Sequence, residues 1–405
     1  MNPISREILH FINQHVSTKL KNMPKIKLSK QSIHLISDIF EKIKRAEHDF
    51  ETMFQNGTIH EKWLNFENAS IPRGFDYDYS PEIAKVKIKD TAKFGCIFNL
   101  KLHGRNVQIA VIFPSSTTNN SHYCHEKLKR MVIWLHVAMQ YASPECSQNL
   151  NIYLYLIDLK KHIPSYQSLI TQEHANTGFT TTCDRTSEIH IYREEEWFKV
   201  LLHETFHNLG LDFSSMNNTD LNSCVYSIFP LKTEKKIFES YCEMWAEILN
   251  VVFIAYFKSK SKKIKPMIKD AMDMLEIEQE FSLLQCVKVL HFFGMTYTDL
   301  YEETQEAKDA RLYKYKEQTP IFSYFIIKCI LMFFVDEFIH WTAIHNGNSL
   351  LFQKVPAHLN EYCSFIREHY KDDKLLKSFS DMEKIVKKMR GGIILKTLRM
   401  TAHEI

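Results

Sequence analysis

The stretch that most constrains this chain is Val200-Leu-Leu-His-Glu-Thr-Phe-His-Asn-Leu-Gly210, which carries His203-Glu204-x-x-His207. Side chains four residues apart on an α-helix share one face, about a turn from each other. His203 and His207 can therefore converge on a single ion, with Glu204 beside them to work on a water bound to it. Val200, Leu201, Leu202 and Phe206 would bury the remainder of the helix. An amphipathic helix with two half-exposed histidines has the same periodicity, so the surrounding sequence must separate the two readings.

A chain of 405 residues allows one large domain or two to three modest ones. Hydrophobic residues at 45% and aromatics at 13% supply ample core. A net charge of +3, with Lys and Arg dispersed, gives no basic stripe, and no nucleic-acid partner is expected. The opening Met1-Asn-Pro-Ile-Ser-Arg-Glu lacks the basic and then apolar pattern of a secretory leader. Nine cysteines, odd in number and without a C-x-x-C pair, read as reduced thiols, and the expected location is cytoplasmic. The longest apolar run, Ile321 to Val335, contains Lys328 and stops at Asp336-Glu337, which favours a buried helix over stable membrane insertion. Plentiful Lys, Ile, Phe and Asn beside ten glycines hint at an AT-rich coding sequence, compatible with a viral or host-cell setting.

Along the chain, residues 1–75 read as helical, with Ile8-Leu9-Phe11-Ile12 and Ile33 to Ile43 at helical spacing on either side of Pro24. A turn-rich loop over 71–81 follows. Phe94 to Leu102 and Val107 to Phe113 predict a hairpin around His103-Gly104-Arg105-Asn106. The polar stretch 115–121 leads into a helix over His122 to Tyr141. Asn151 to Ile157 and Glu188 to Tyr192 are two further strands, separated by a long polar loop over Lys160 to Thr182. The histidine-bearing helix starts near Glu194, its three acidic residues suited to the helix dipole. A loop over Leu211 to Thr233 and a helix to Phe257 come next, and nearly everything from about 265 onward reads as helix.

Two strands, a helix, two strands and then the motif helix is the order of the N-terminal subdomain of zincin metallopeptidases, which the chain resembles from about residue 90 to 258. The resemblance implies an α+β fold, with a small mixed sheet packed on the HExxH helix and a mainly helical C-terminal subdomain. The expected division is 1–75, 76–210 and 211–405. It also implies that the strand before the motif helix, Ser187 to Tyr192, lies at the sheet edge and receives an extended substrate by strand addition. His190 in that strand reads as exposed.

A catalytic zinc takes three protein ligands and keeps one position open. Phe213 excludes a third histidine of the form H-E-x-x-H-x-x-G-x-x-H, and Asp212 is off that register. Phe238-Glu-Ser-Tyr-Cys-Glu-Met-Trp-Ala-Glu247 resembles the gluzincin helix that completes a His-His-Glu site. In one register Glu243 binds Zn2+, Ala246 permits close packing and Glu247 supports an imidazole. One turn back, Glu239 is the ligand and Glu243 the supporter. Ala246 favours the first. Three glutamates could also form a plain solvated face, but their apolar neighbours argue for burial, and buried carboxylates are costly unless paired or metal-bound.

The implied function is a zinc metallopeptidase acting on a peptide or protein substrate, with Glu204 as general base and an oxyanion partner among His291, Tyr297 and His340. Two alternatives stand beside it. One is a zincin fold kept as a structural or interaction protein, for example in a virion, and the other is membrane association through 321–335.

Overall fold

The computed structural model describes residues 3–72, 79–114, 120–166 and 168–404. Parts of the expected 71–81 loop and 115–121 stretch lie outside them. In chain order the first half runs α1 (Pro3–Phe11), α2 (Lys30–Gln55), β1 (His60–Asn65), α3 (Glu82–Thr91), β2 (Phe94–Leu102), β3 (Arg105–Phe113) and α4 (Asn120–Ala138). Then come β4 (Asn149–Tyr155), α5 (Gln172–Ala175), β5 (Gly178–Thr180), β6 (Thr186–Ile191), α6 (Trp197–Asn208), α7 (Thr219–Ile228), α8 (Phe238–Lys258) and α9 (Ile264–Phe292). The remainder is α10 (Gln305–Asp309), α11 (Lys328–Phe333), α12 (Val335–His345), α13 (Pro356–His369), α14 (Asp373–Lys388) and α15 (Ile393–Lys396).

The chain is thus mixed α and β, with one six-stranded mixed sheet in the order β1-β2-β3-β4-β6-β5. β2 and β3 pair antiparallel from Phe94↔Phe113 to Leu102↔Arg105. His103 and Gly104 turn the hairpin with φ of 48° and 77°, the left-handed backbone that a two-residue turn of this hand requires. After the α4 crossover, β3, β4 and β6 run parallel, and β5 returns antiparallel on β6. Alternation sends Val107, Ile109, Val111, Leu150, Ile152 and Leu154 into the main core against α4 and α6. The opposite face carries Ala110, Ile112 and Tyr155 under Ala84 and Ile88 of α3.

Three local expectations change. The region read as helical ends in β1, which adds to the outer side of β2. β6 is interior rather than at the edge, because the long loop before it contains β5. His190 is buried between the rings of Tyr153 and Phe179, at 4.9 and 4.5 Å between centroids.

Four cysteines are paired rather than free. Cys146–Cys183 ties the segment after α4 to the β5–β6 turn, and Cys224–Cys363 ties α7 to α13. The apolar run from Ile321 is buried to Phe333 and packs on α8 and α9. Among the described residues no helix is long and apolar enough to cross a membrane.

The glutamates ahead of α6 do not cap it. Glu196 sits at φ 58° and its carboxylate accepts the Met400 and Thr401 N–H groups at 2.8 and 2.7 Å. Glu278 of α9 accepts those of Ala402 and His403, both at 2.8 Å. Buried backbone polar groups must find partners. These carboxylates supply them, so residues 397–404 can thread between α6, α8 and α9.

Candidate metal centre

Every residue of α6 from Trp197 to Asn208 is buried, a consequence of packing between the sheet and α8. His203, Glu204 and His207 are 5%, 8% and 8% exposed, so the motif opens on a nearly enclosed space. The two Nε2 atoms lie 3.2 Å apart. Glu239 on α8 brings Oε2 to 3.1 Å from His203 Nε2 and 3.2 Å from His207 Nε2. Glu239, and not Glu243, is therefore the carboxylate that meets both imidazoles.

The other ring nitrogens explain the arrangement. His203 Nδ1 donates to Glu243 Oε2 at 3.1 Å, and His207 Nδ1 donates to Asp212 Oδ2. With their protons on Nδ1, both Nε2 atoms present lone pairs toward the same point as the Glu239 oxygen. In that neutral tautomer the three acceptors converge on one point, whereas protonation of an imidazole would put an Nε2–H against Glu239. Spacings of 3.1 to 3.2 Å also match the edge of a tetrahedron, about 3.3 Å, set by bonds of about 2.0 Å from N and O to zinc. The donor set fits that ion.

The supports are themselves held. Glu243 also pairs with Lys199, one helical turn before His203. Asp212 accepts from the Ser214 N–H and hydroxyl at 2.9 and 2.7 Å, and from the Cys242 thiol at 3.3 Å. His207, Asp212 and Cys242 form a second compact group, but hydrogen bonds within it already satisfy it. The turn at Gly210, with φ 63°, folds the chain back so that Asp212 reaches His207. Glu247 touches neither histidine and pairs with Lys328 at 2.9 Å, so the imidazole supporter expected there is Glu243.

The charge states follow from burial and neighbours. Burial pushes Glu239 and Glu243 up, but the imidazoles, with Lys199 for Glu243, outweigh it and hold both well below the usual carboxylate range. Burial opposes a charged His203, yet its bonds to Glu239 and Glu243 raise it. His207 is raised well above its ordinary value against burial, with Cys242 and Asp212 nearest. Glu204 is held up chiefly by burial, a direction that suits a group trading a proton near neutrality.

Two further elements close the site. Tyr324, in the turn ahead of α11, brings its hydroxyl to 3.3 Å from Glu239 Oε2 and its ring edge-on to His203. β5 passes directly over α6 because position 178 is glycine. A Cβ there would come 2.7 Å from the His190 carbonyl and 3.3 Å from Glu204 Cγ. On this strand Thr177 O accepts from Tyr192 N, and Thr181 N donates to Glu188 O. Antiparallel alternation then turns the N–H and C=O of Gly178 and Thr180 away from β6, toward the open edge.

His291, Tyr297 and His340 stand elsewhere. Tyr297 bonds to the Tyr370 carbonyl, His340 to Ser29, and His291 is exposed at the end of α9. Sequence reasoning missed Asp212 as a support, and also Lys199, Gly178 and Tyr324. Only Asp212 left a local signal, a carboxylate just past the glycine that ends the motif helix. No protein-family model, no curated protein and no solved structure matches this chain.

Proposed function

We propose that this protein is a zinc-dependent peptidase of zincin type, holding its ion with His203, His207 and Glu239. The observation that carries the reading is the convergence of three acceptor atoms 3.1 to 3.2 Å apart, backed by carboxylates on both Nδ1 atoms. With both imidazoles neutral, these three lone pairs meet at one point, and each costs desolvation unless a cation, a proton or a metal ion, partners it.

When bound, zinc would acidify a water and polarise a substrate carbonyl. The chain's own groups do the rest. Glu204 accepts the proton of the attacking water on its carboxylate and delivers it to the departing amine nitrogen. The Tyr324 hydroxyl donates to the carbonyl oxygen as it gains negative charge. Gly178 and Thr180 offer backbone N–H and C=O groups to an extended substrate, which adds as a further strand. On this reading the docking edge is β5, with the base Glu204 against Gly178.

The test separates binding from chemistry. Glu204→Gln is expected to keep stoichiometric zinc and lose peptide-library hydrolysis by about 10²- to 10⁴-fold. Glu239→Ala should abolish zinc retention, whereas Glu243→Ala should retain zinc with affinity weakened about 10- to 100-fold. No zinc in the wild-type protein would sink the reading. Zinc without hydrolysis of any peptide would favour a zincin fold kept for structure or interaction.

A further inference from the structure

Beside the imidazoles lies a cavity of about 20 Å³, enough for one water. Thr177 and Gly178 bound it on the β5 side, Lys199 and Val200 on the α6 side, and Tyr324 from the helical half. Lys161, Ala175 and Asn176 also line it, and Met400 reaches it from the threaded 397–404 segment. Its backbone is clamped on both sides. The N–H donates to Glu196 at 2.8 Å, and the carbonyl accepts from Lys328 Nζ at 2.8 Å. Its sulfur lies 3.7 Å from Lys199 Nζ, and the residue is 5% exposed.

The cavity lies between β5 and the three acceptors, beside the position a substrate laid along β5 would give its cleaved bond. The other boundaries are tied down: Gly178 lies in β5, Val200 in the motif helix, Lys199 pairs with Glu243 and Lys161 with Glu196, Asn176 is bonded by Arg193 and Thr319, and Tyr324 bonds to Glu239. We propose that Met400 is the floor of the pocket beside the cleaved bond, and that it restricts the residue accepted there to Gly, Ala or Ser. This rests on the peptidase reading above. A leucine or phenylalanine side chain is far larger than the single water the space beside Met400 holds, and the thioether is the flexible apolar group whose displacement would make room for it. Met400→Ala removes that floor while keeping the clamped backbone.

The experiment uses the zinc-loaded full chain, as wild type, Met400→Ala and Met400→Leu. The probes are peptide hydroxamates whose side chain is graded from hydrogen through methyl and isobutyl to benzyl, with binding followed by calorimetry. A peptide library is cleaved in parallel and read by mass spectrometry on both sides of each cut. Wild type should favour the hydrogen and methyl probes over the isobutyl and benzyl probes by about tenfold or more, and Met400→Leu should keep that order. Met400→Ala should gain about tenfold or more for the large probes. A wild-type preference for the large probes would overturn the proposal without reference to any variant, as would an unchanged order in a folded Met400→Ala. Hydroxamates report on the pocket whether or not peptides are cut. Selective binding without cleavage therefore defeats the peptidase reading and leaves the pocket standing. A wild type that holds neither zinc nor probe defeats both.

Discussion

Two clusters of buried carboxylates lie side by side in this molecule and are settled in opposite ways. Around α6 and the upper part of α8, Glu239 faces two imidazole lone pairs. Lower on the same helices, carboxylates face cations from the chain: Glu243 with Lys199, Glu247 with Lys328, and Glu196 with Lys161 at 2.7 Å. Arg399 reaches Glu404 at 3.1 Å, and His403 reaches Glu278 at 2.7 Å. The second region is an ionic layer that neutralises itself and grips residues 397–404. The first pairs its carboxylate with two imidazoles instead of a lysine or arginine. A buried carboxylate supplied with a lysine is architecture, and one placed against two imidazoles has the donor set of the proposed metal site.

The largest way to break this comparison is to remove a cation from the self-sufficient layer. Lys328 is 2% exposed and holds both Glu247 and the Met400 carbonyl. Glu247 is already strained electrostatically. Burial first and then Glu278 hold its carboxyl well above the usual range, while His403 and backbone N–H groups pull Glu278 down to about 2 against its own burial. Lys328→Met removes the donor to both Glu247 and the Met400 carbonyl, leaves these buried groups short of a partner, and should cost about 3–5 kcal/mol in chemical unfolding. Stoichiometric zinc should survive in whatever remains folded. A loss below about 1 kcal/mol would mean that the layer does not hold the fold as an ion pair does.

His190 shows a third settlement, a buried base that stays neutral. Burial between two rings lowers its pKa to about 4 despite Glu188 at 2.9 Å. The unfolded chain therefore binds a proton on this histidine before the folded one does. Its contribution is fully present above about pH 6.5 and is lost as pH falls from there toward about 4, a difference of about 3 kcal/mol. His190→Phe removes the titration and keeps a ring between Tyr153 and Phe179. The wild-type minus variant stability, measured at pH 7 and pH 4, should shift against wild type at the lower pH. A flat difference would contradict the neutral sandwich.

What could be read in the sequence follows the reach of local periodicity. His203, Glu204 and His207 announce themselves because one helix sets their relative positions, and Glu239 and Glu243 appear as a pair for the same reason. Choosing between those two is another matter. They sit four residues apart, about 6 Å along α8, and the choice depends on how far α8 slides along α6 when it docks. Ala246 favoured Glu243, whereas Glu239 is the carboxylate beside both Nε2 atoms, because Ala246 constrains packing rather than register. The sheet was legible in β2, β3, β4 and β6, where alternation is long, but not in the three residues of β5 or in β1. Tyr324, Lys328 and Met400 reach the site region from distant sequence, and no spacing rule links them to the motif. The acidic run before α6 illustrates the same limit. Glu196 looks like a helix-end charge, yet its partners are Lys161 and residues 399–401.

The finest form of the comparison sets the two imidazole supports against each other. Glu243 belongs to both regions, since it accepts from His203 and pairs with Lys199. Asp212 belongs to the proposed metal site alone, and its remaining partners are Ser214 and Cys242. Asp212→Asn keeps the shape but surrenders the charge that orients His207, so zinc affinity should fall about 10- to 100-fold. That is about 1.4–2.7 kcal/mol of binding. Glu243→Gln should lower zinc affinity by a similar factor, but it also strands Lys199 without its carboxylate and should cost metal-free stability in addition. Competition with a chelator reads the first effect, and unfolding of metal-free protein reads the second. If both variants lose the same metal-free stability, the boundary drawn at Glu243 is misplaced, and the site and the ionic layer are one cluster.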